Sequence, residues 1–185
     1  DNPYRSLDAA REAKDHWVPE HDDLARQVAR QSVVLLKNDG VLPLRKSGQK
    51  VAVVGWWSQD KANTEGVGVI WGNETFAVTL ADGIAAALEN PKDNMRVVNG
   101  SGVEVAYNGG IADATAAAEW ADVVVLALGE PKNYTGEAQS RTDIVIPDAQ
   151  LRLAEAVAAA GKPVVILLKN GRALELSGAV KDAAA

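Results

Sequence analysis

Four short runs stand out along the chain because they are apolar at both even and odd positions: KVAVVG (50–55), VEVAYN (103–108), DVVVLALG (122–129) and PVVILLKNG (163–171). Strands covered on both faces read this way, whereas a half-exposed strand alternates. Between them lie TLADGIAAALEN (79–90), IADATAAAEWA (111–121) and PDAQLRLAEAVAAAG (147–161), whose apolar positions recur at helical spacing. The last helix is closed by Gly161, Lys162 and Pro163, a stop signal. Alternating strands and helices predict an α/β fold, a three-layer α/β sandwich with a mostly parallel sheet and helices on both faces.

Upstream the pattern is different. Residues 1–20 mix charge with Pro3 and Pro19, show no sustained apolar period, and read as an interdomain linker holding a turn of helix. The α/β domain is expected over 21–185. It begins with a helix for which Asp22 and Asp23 are candidate caps and in which Leu24, Ala25, Val28, Ala29 and Ser32 share a face. That helix is expected to run through VVLLKN to the turn at Asn38–Gly40 and to pack on the sheet.

At 185 residues and 47% hydrophobic composition the chain supports one domain with a substantial core. A net charge of -6 and a pI near 5.0 argue against a nucleic-acid partner, which needs clustered cations. There are no cysteines, so disulfides, thiol catalysis and cysteine-bound zinc are excluded. His16 and His21 flank Pro19 in a polar segment and read as surface residues rather than metal ligands or bases. No run approaches the roughly 20 apolar residues of a membrane span, and the first residues have no signal-peptide core, so the chain reads as soluble. It opens on DNPY and stops on KDAAA, and both ends are expected to be cuts from something larger.

In open parallel sheets, ligands collect at the carboxyl ends of the strands. Three loops there are candidates: GWWSQDKANTEGVGVIWGNET (55–75), GEPKNYTGEAQSRTDIVIP (129–147) and KNGRALEL (169–176). A dinucleotide fingerprint needs closely spaced glycines after the first strand, and bulky Trp56 and Trp57 stand there instead. Gly66, Gly68 and Gly72 open no helix and precede no Lys-Ser/Thr pair. A serine hydrolase would need G-x-S-x-G and a histidine beyond the strands, and has neither.

Carboxylate chemistry remains. Glycoside hydrolysis uses two carboxyl groups about the scissile bond and needs no metal or cofactor, and sugars stack on indole rings. Trp56, Trp57 and Trp71 can supply rings, and Glu130, Glu137, Arg141 and Asp143 polar groups. Against this stand plainer roles: packing of the loop on the sheet for the tryptophans, and an ion pair with Arg141 or Lys132 that holds the loop for Glu130. Glu137 follows Gly136 in mid-loop, and its plain role is a solvated glutamate.

HDDLARQVARQSVVLLKNDGVLPL, KVAVVG, GEPKNYTGEAQSRTDIVIPDAQ and GKPVVILLKNGRAL, in this order and spacing, resemble the second domain of family 3 glycoside hydrolases, the β-glucosidase and β-xylosidase family. The resemblance implies a retaining enzyme. A (β/α)8 barrel would carry the aspartate nucleophile, and this domain would contribute the general acid/base toward a β-linked glucoside or oligosaccharide. The family's acid/base glutamate in its Ser-Gly-Glu loop falls on Glu137, with Thr135 in place of Ser. Trp71, in W-G, matches the tryptophan that lines the leaving-group site. Arg141 and Asp143 match S-R-x-D, a loop-ordering element, with Arg141 also a substrate-binding candidate. Trp56 and Ala173 stand where many members have proline. The resemblance further implies a last strand beyond Ala185 and a periplasmic or secreted parent protein. On this reading the chain is a β-glucosidase-like domain, inactive alone. The alternatives are a non-catalytic module that binds carbohydrate or docks a partner on the same fold, and a nucleotide-binding protein.

Overall fold

A computed structural model describes residues 9–15 and 18–185; the start of the expected linker, with Pro3, and His16 lie outside the described residues. The chain divides into two compact units, Asp1–Leu36 and Lys37–Ala185. The α/β unit thus starts later than the His21 expected from sequence.

In the first unit, α1 spans Ala9–Asp15 and α2 spans Pro19–Ser32. Two expectations are corrected here. Pro19 occupies the first turn of α2, where its fixed φ suits the helix, and Val18 rather than Asp22 or Asp23 is the flanking residue. The helix stops at Ser32 instead of continuing to Asn38: Val33 is extended, and Val33–Leu36 are exposed. Adjacent β-branched residues at 33 and 34 favour that extended backbone. No residue of α2 is buried, and Leu24 and Val28 on its apolar stripe are exposed.

The second unit holds β1 (Val51–Val54), α3 (Leu80–Ala87), α4 (Pro91–Asn94), β2 (Met95–Val98), α5 (Gly110–Trp120), β3 (Val123–Gly129), α6 (Asp148–Ala158), β4 (Val164–Lys169) and α7 (Gly178–Lys181). The four strands form one parallel sheet in the order β2-β1-β3-β4. Residue parity sorts the two faces. Ala52, Val54, Val124, Leu126 and Leu128 pack with Ala114, Ala118, Leu153 and Val157 of α5 and α6. Val51, Val53, Val123 and Val125 pack on the other side with Ala81 and Ile84 of α3 and with Leu42 and Leu44. Strands β1 and β3 are buried throughout, which is why their sequences lack alternation.

The second strand is the main correction. VEVAYN forms no strand; β2 is MRVV, which follows α4 directly and pairs Val51 with Met95 and Val54 with Val98. Val105 and Tyr107 are exposed, and the VEVAYN backbone turns back on itself through Gly102 N–H to Val105 O at 2.8 Å. As an edge strand with the charged Arg96 at its centre, β2 carries a weaker apolar signal than the central strands. Among the described residues no helix is long and apolar enough to cross a membrane.

Candidate active site

The loops that follow all four strands meet at the carboxyl edge of the sheet. The one after β3 is anchored most firmly. Gly129 has φ 150, and a Cβ there would collide with the carbonyl oxygen of Lys169, so β3 and β4 approach as closely as they do only with glycine. Its peptide groups are bonded by a buried side chain: Gln150 of α6 accepts from Gly129 N–H at 2.9 Å and donates to Gly129 O at 2.8 Å. The same amide donates to Val103 O at 3.1 Å and accepts from Trp57 Nε1 at 3.2 Å. One glutamine therefore joins three of the loops.

Glu130 comes next. Its side chain is 0% exposed and receives a two-pronged bond from Arg172, Nε to Oε2 at 2.9 Å and Nη2 to Oε1 at 2.7 Å. The Glu130 hydrogen bond is the main reason the Arg172 guanidinium is held above its ordinary pKa range. The loop-holding ion pair expected for Glu130 exists, but its chief partner comes from the loop after β4; Arg141 is at 4.0 Å, and no bond to Lys132 is formed among the described residues. Arg172 also donates to the carbonyls of Arg141, at 3.2 Å, and Asp143.

Arg141 lies over the Tyr134 ring, 3.9 Å from its centroid, and 3.7 Å from Glu104 of the loop after β2. The Tyr134 hydroxyl donates to the same Glu104 carboxylate. Burial first, and this bond second, push the Tyr134 pKa above its ordinary value.

Glu137 differs from all of these. It is exposed, and among the described residues it has no hydrogen-bond or ion-pair partner. It occupies the second position of a turn closed by Gln139 N–H to Gly136 O at 3.2 Å. Ala138 in that turn has φ 60, a conformation that costs an L-residue roughly 1–2 kcal/mol. Gly136, with φ 112, has no room for a Cβ because Val67 of the loop after β1 lies against it. Asn63 ties the same two loops together, accepting from Lys132 N–H at 3.0 Å.

The tryptophans separate. Trp57 is buried in the packing role expected of it, edge-on to Trp56. Trp71 is 95% exposed and does not pack the loop onto the sheet. A cleft of about 390 Å3 opens beside Trp56, Asp60, Lys61, Glu74 and Asn99, and Glu137 does not line it. Asp60 is neutralised by Lys169 at 2.8 Å. No cluster of three or more metal-ligating residues occurs among the described residues.

Residues 33–185 match the Glycosyl hydrolase family 3 C-terminal domain. The chain belongs to this family. The periplasmic beta-glucosidase of Salmonella typhimurium is 37% identical to it over 179 residues, covering 84% of this chain and 23% of the relative. A beta-xylosidase of Formosa agariphila is 32% identical over 165 residues, covering 85% and 22%. The crystal structure of beta-glucosidase from Listeria innocua superposes with a TM-score of 0.88 at 34% identity, covering 99% of this chain and 24% of that one. The family 3 domain thus spans about a quarter of the length of these relatives. The four-stranded parallel sheet flanked by helices is the fold of those neighbours, as the strand and helix pattern predicted.

Of the site residues expected from sequence, Glu137 and Arg141 share one loop, and the loop bearing Trp71 reaches it through Val67 and Asn63. Sequence reasoning gave no role to Arg172, Gln150, Glu104 or Tyr134. The available signal for Arg172 was positional: it is the first charge after Lys169 at the carboxyl end of the strand that neighbours β3.

Proposed function

We propose that this family 3 domain supplies the general acid/base of a retaining β-glycosidase acting on terminal β-linked glucosides, and that Glu137 is that residue. The contrast between the two loop glutamates carries the reading. Glu130 is walled in and bonded by Arg172, so its carboxylate has no path to a substrate oxygen. Glu137 is exposed on a turn beyond the same strand, able to protonate a leaving-group oxygen and then take a proton from water.

Retaining hydrolysis needs a second carboxylate as nucleophile. We assign it to an aspartate in a (β/α)8 barrel domain of the parent protein, so the chain described here would not turn over glycosides by itself. The exposed indole of Trp71 supports a stacking role for the sugar or leaving group. Arg141 is already occupied by Tyr134 and Glu104, which favours ordering of the loop over direct substrate contact.

The test is Glu137→Ala in the full-length enzyme. We expect turnover of phenyl β-glucoside to fall about 10²- to 10⁴-fold, the usual worth of a positioned acid/base. With dinitrophenyl β-glucoside, whose leaving group departs without the acid, azide should raise turnover of the variant by attacking the glycosyl-enzyme. Near-normal kinetics would transfer the role to another residue.

A further inference from the structure

We propose that Arg172 is the positioning residue of the acid/base loop, holding the two ends of residues 130–143 with a single guanidinium and so setting where the loop's proton-transferring carboxylate stands. This rests on the reading of that loop given above.

The loop leaves the sheet at Glu130 and returns through Arg141 to Asp143. Arg172 bonds all three: the Glu130 carboxylate through Nε and Nη2, the Arg141 carbonyl through Nη1 at 3.2 Å, and the Asp143 carbonyl through Nη2. A planar guanidinium presents five donors in fixed directions, which lets it bridge a carboxylate and two carbonyls at once. Both of its supports are rigid. Glu130 follows the wholly buried strand β3, and Arg172 lies just past β4, which pairs with β3 through Gly129 and Lys169. Between the stapled ends, Lys132, Tyr134 and Gly136, the last of them next to Glu137, are held by contacts to other loops rather than by strand pairing. Lysine keeps the charge beside Glu130 but, as a point donor, cannot hold the fork.

A residue that only stabilises the fold and one that places an acid differ in their dependence on the leaving group. Dinitrophenolate departs without protonation, whereas phenolate needs the acid. We therefore expect Arg172→Lys in the full-length enzyme to lower kcat/KM about 30-fold or more for phenyl β-glucoside and less than about threefold for dinitrophenyl β-glucoside. Where Arg172→Lys does not fold, judged by circular dichroism, Glu130→Gln removes the anchor of the same staple and should give the same split. Equal loss on both substrates, or no loss, overturns the proposal. Glu137→Ala is measured alongside. A split in Arg172→Lys without one in Glu137→Ala keeps the staple and moves the acid to another carboxylate of the loop. A split in Glu137→Ala alone keeps the acid and overturns the staple.

Discussion

Glu130 and Arg172 lie 42 residues apart in sequence, yet the guanidinium meets the carboxylate through two bonds, at 2.7 and 2.9 Å. The pair is asymmetric. The Glu130 side chain has no contact with solvent, while 19% of the Arg172 side chain does.

That asymmetry predicts unequal costs of breaking the pair. Arg172→Gln leaves a carboxylate buried with, among the described residues, only Arg141, at 4.0 Å, to offset it, and should lower Tm by on the order of 10 °C. Glu130→Gln leaves a guanidinium that reaches water and two carbonyls, and should cost visibly less. Thermal melts of both variants decide this; an equal or reversed order refutes it.

Gln150 is 2% exposed and bonds both peptide groups of Gly129, the Val103 carbonyl and the Trp57 indole. Gln150→Leu keeps the bulk and strands those four partners. We expect a loss of about 2–4 kcal/mol in urea unfolding, since each buried group left unmade costs about 1–3 kcal/mol and some will reach water. A loss under about 1 kcal/mol would mean that Gln150 does not hold these loops together.

Tyr134 should ionise later than an ordinary tyrosine, because burial and the Glu104 carboxylate both disfavour its phenolate. The group's folded pKa lies above its unfolded one, so the stability it contributes is fully present below the unfolded pKa, about 10, and is lost as pH rises through the folded value. Absorbance titration near the phenolate band should show a lagging tyrosine that Tyr134→Phe abolishes. Glu104→Gln should move it part of the way back, leaving the shift due to burial.

Glu137→Ala should be silent in folding and loud in function. An exposed side chain without partners among the described residues changes stability by no more than about 0.5 kcal/mol. A large drop in Tm alongside the drop in turnover would show that the variant fails for structural reasons.

Gly136→Val tests the contact between the loops after β1 and β3. The new side chain must displace Val67, and φ 112 is hostile to a β-branched residue. Activity of the full-length enzyme should fall at least about tenfold, as misplacement of about 1 Å costs up to 10²-fold. The sheet, whose core does not include Gly136, should melt within a few degrees of the parent.

The chain by itself determined the central strands, the three long helices of the α/β unit and the edge of the sheet at which chemistry gathers. Those features are local: a strand buried on both faces must be apolar at every position, and a helix on a sheet must repeat its apolar face every turn. VVVLAL and DAQLRLAEAVA therefore declare themselves. The same local logic misread VEVAYN as a strand and extended α2 into Val33–Leu36, because an apolar run carries no record of whether anything covers it. MRVV became the second strand only by pairing with β1 at the edge. What tertiary structure decided was which charges meet. Parallel pairing of β3 with β4 sets the loops that follow them side by side, and this brings Arg172 to Glu130. Two glutamates seven positions apart in one loop thereby receive opposite environments, one buried against a cation and one left free.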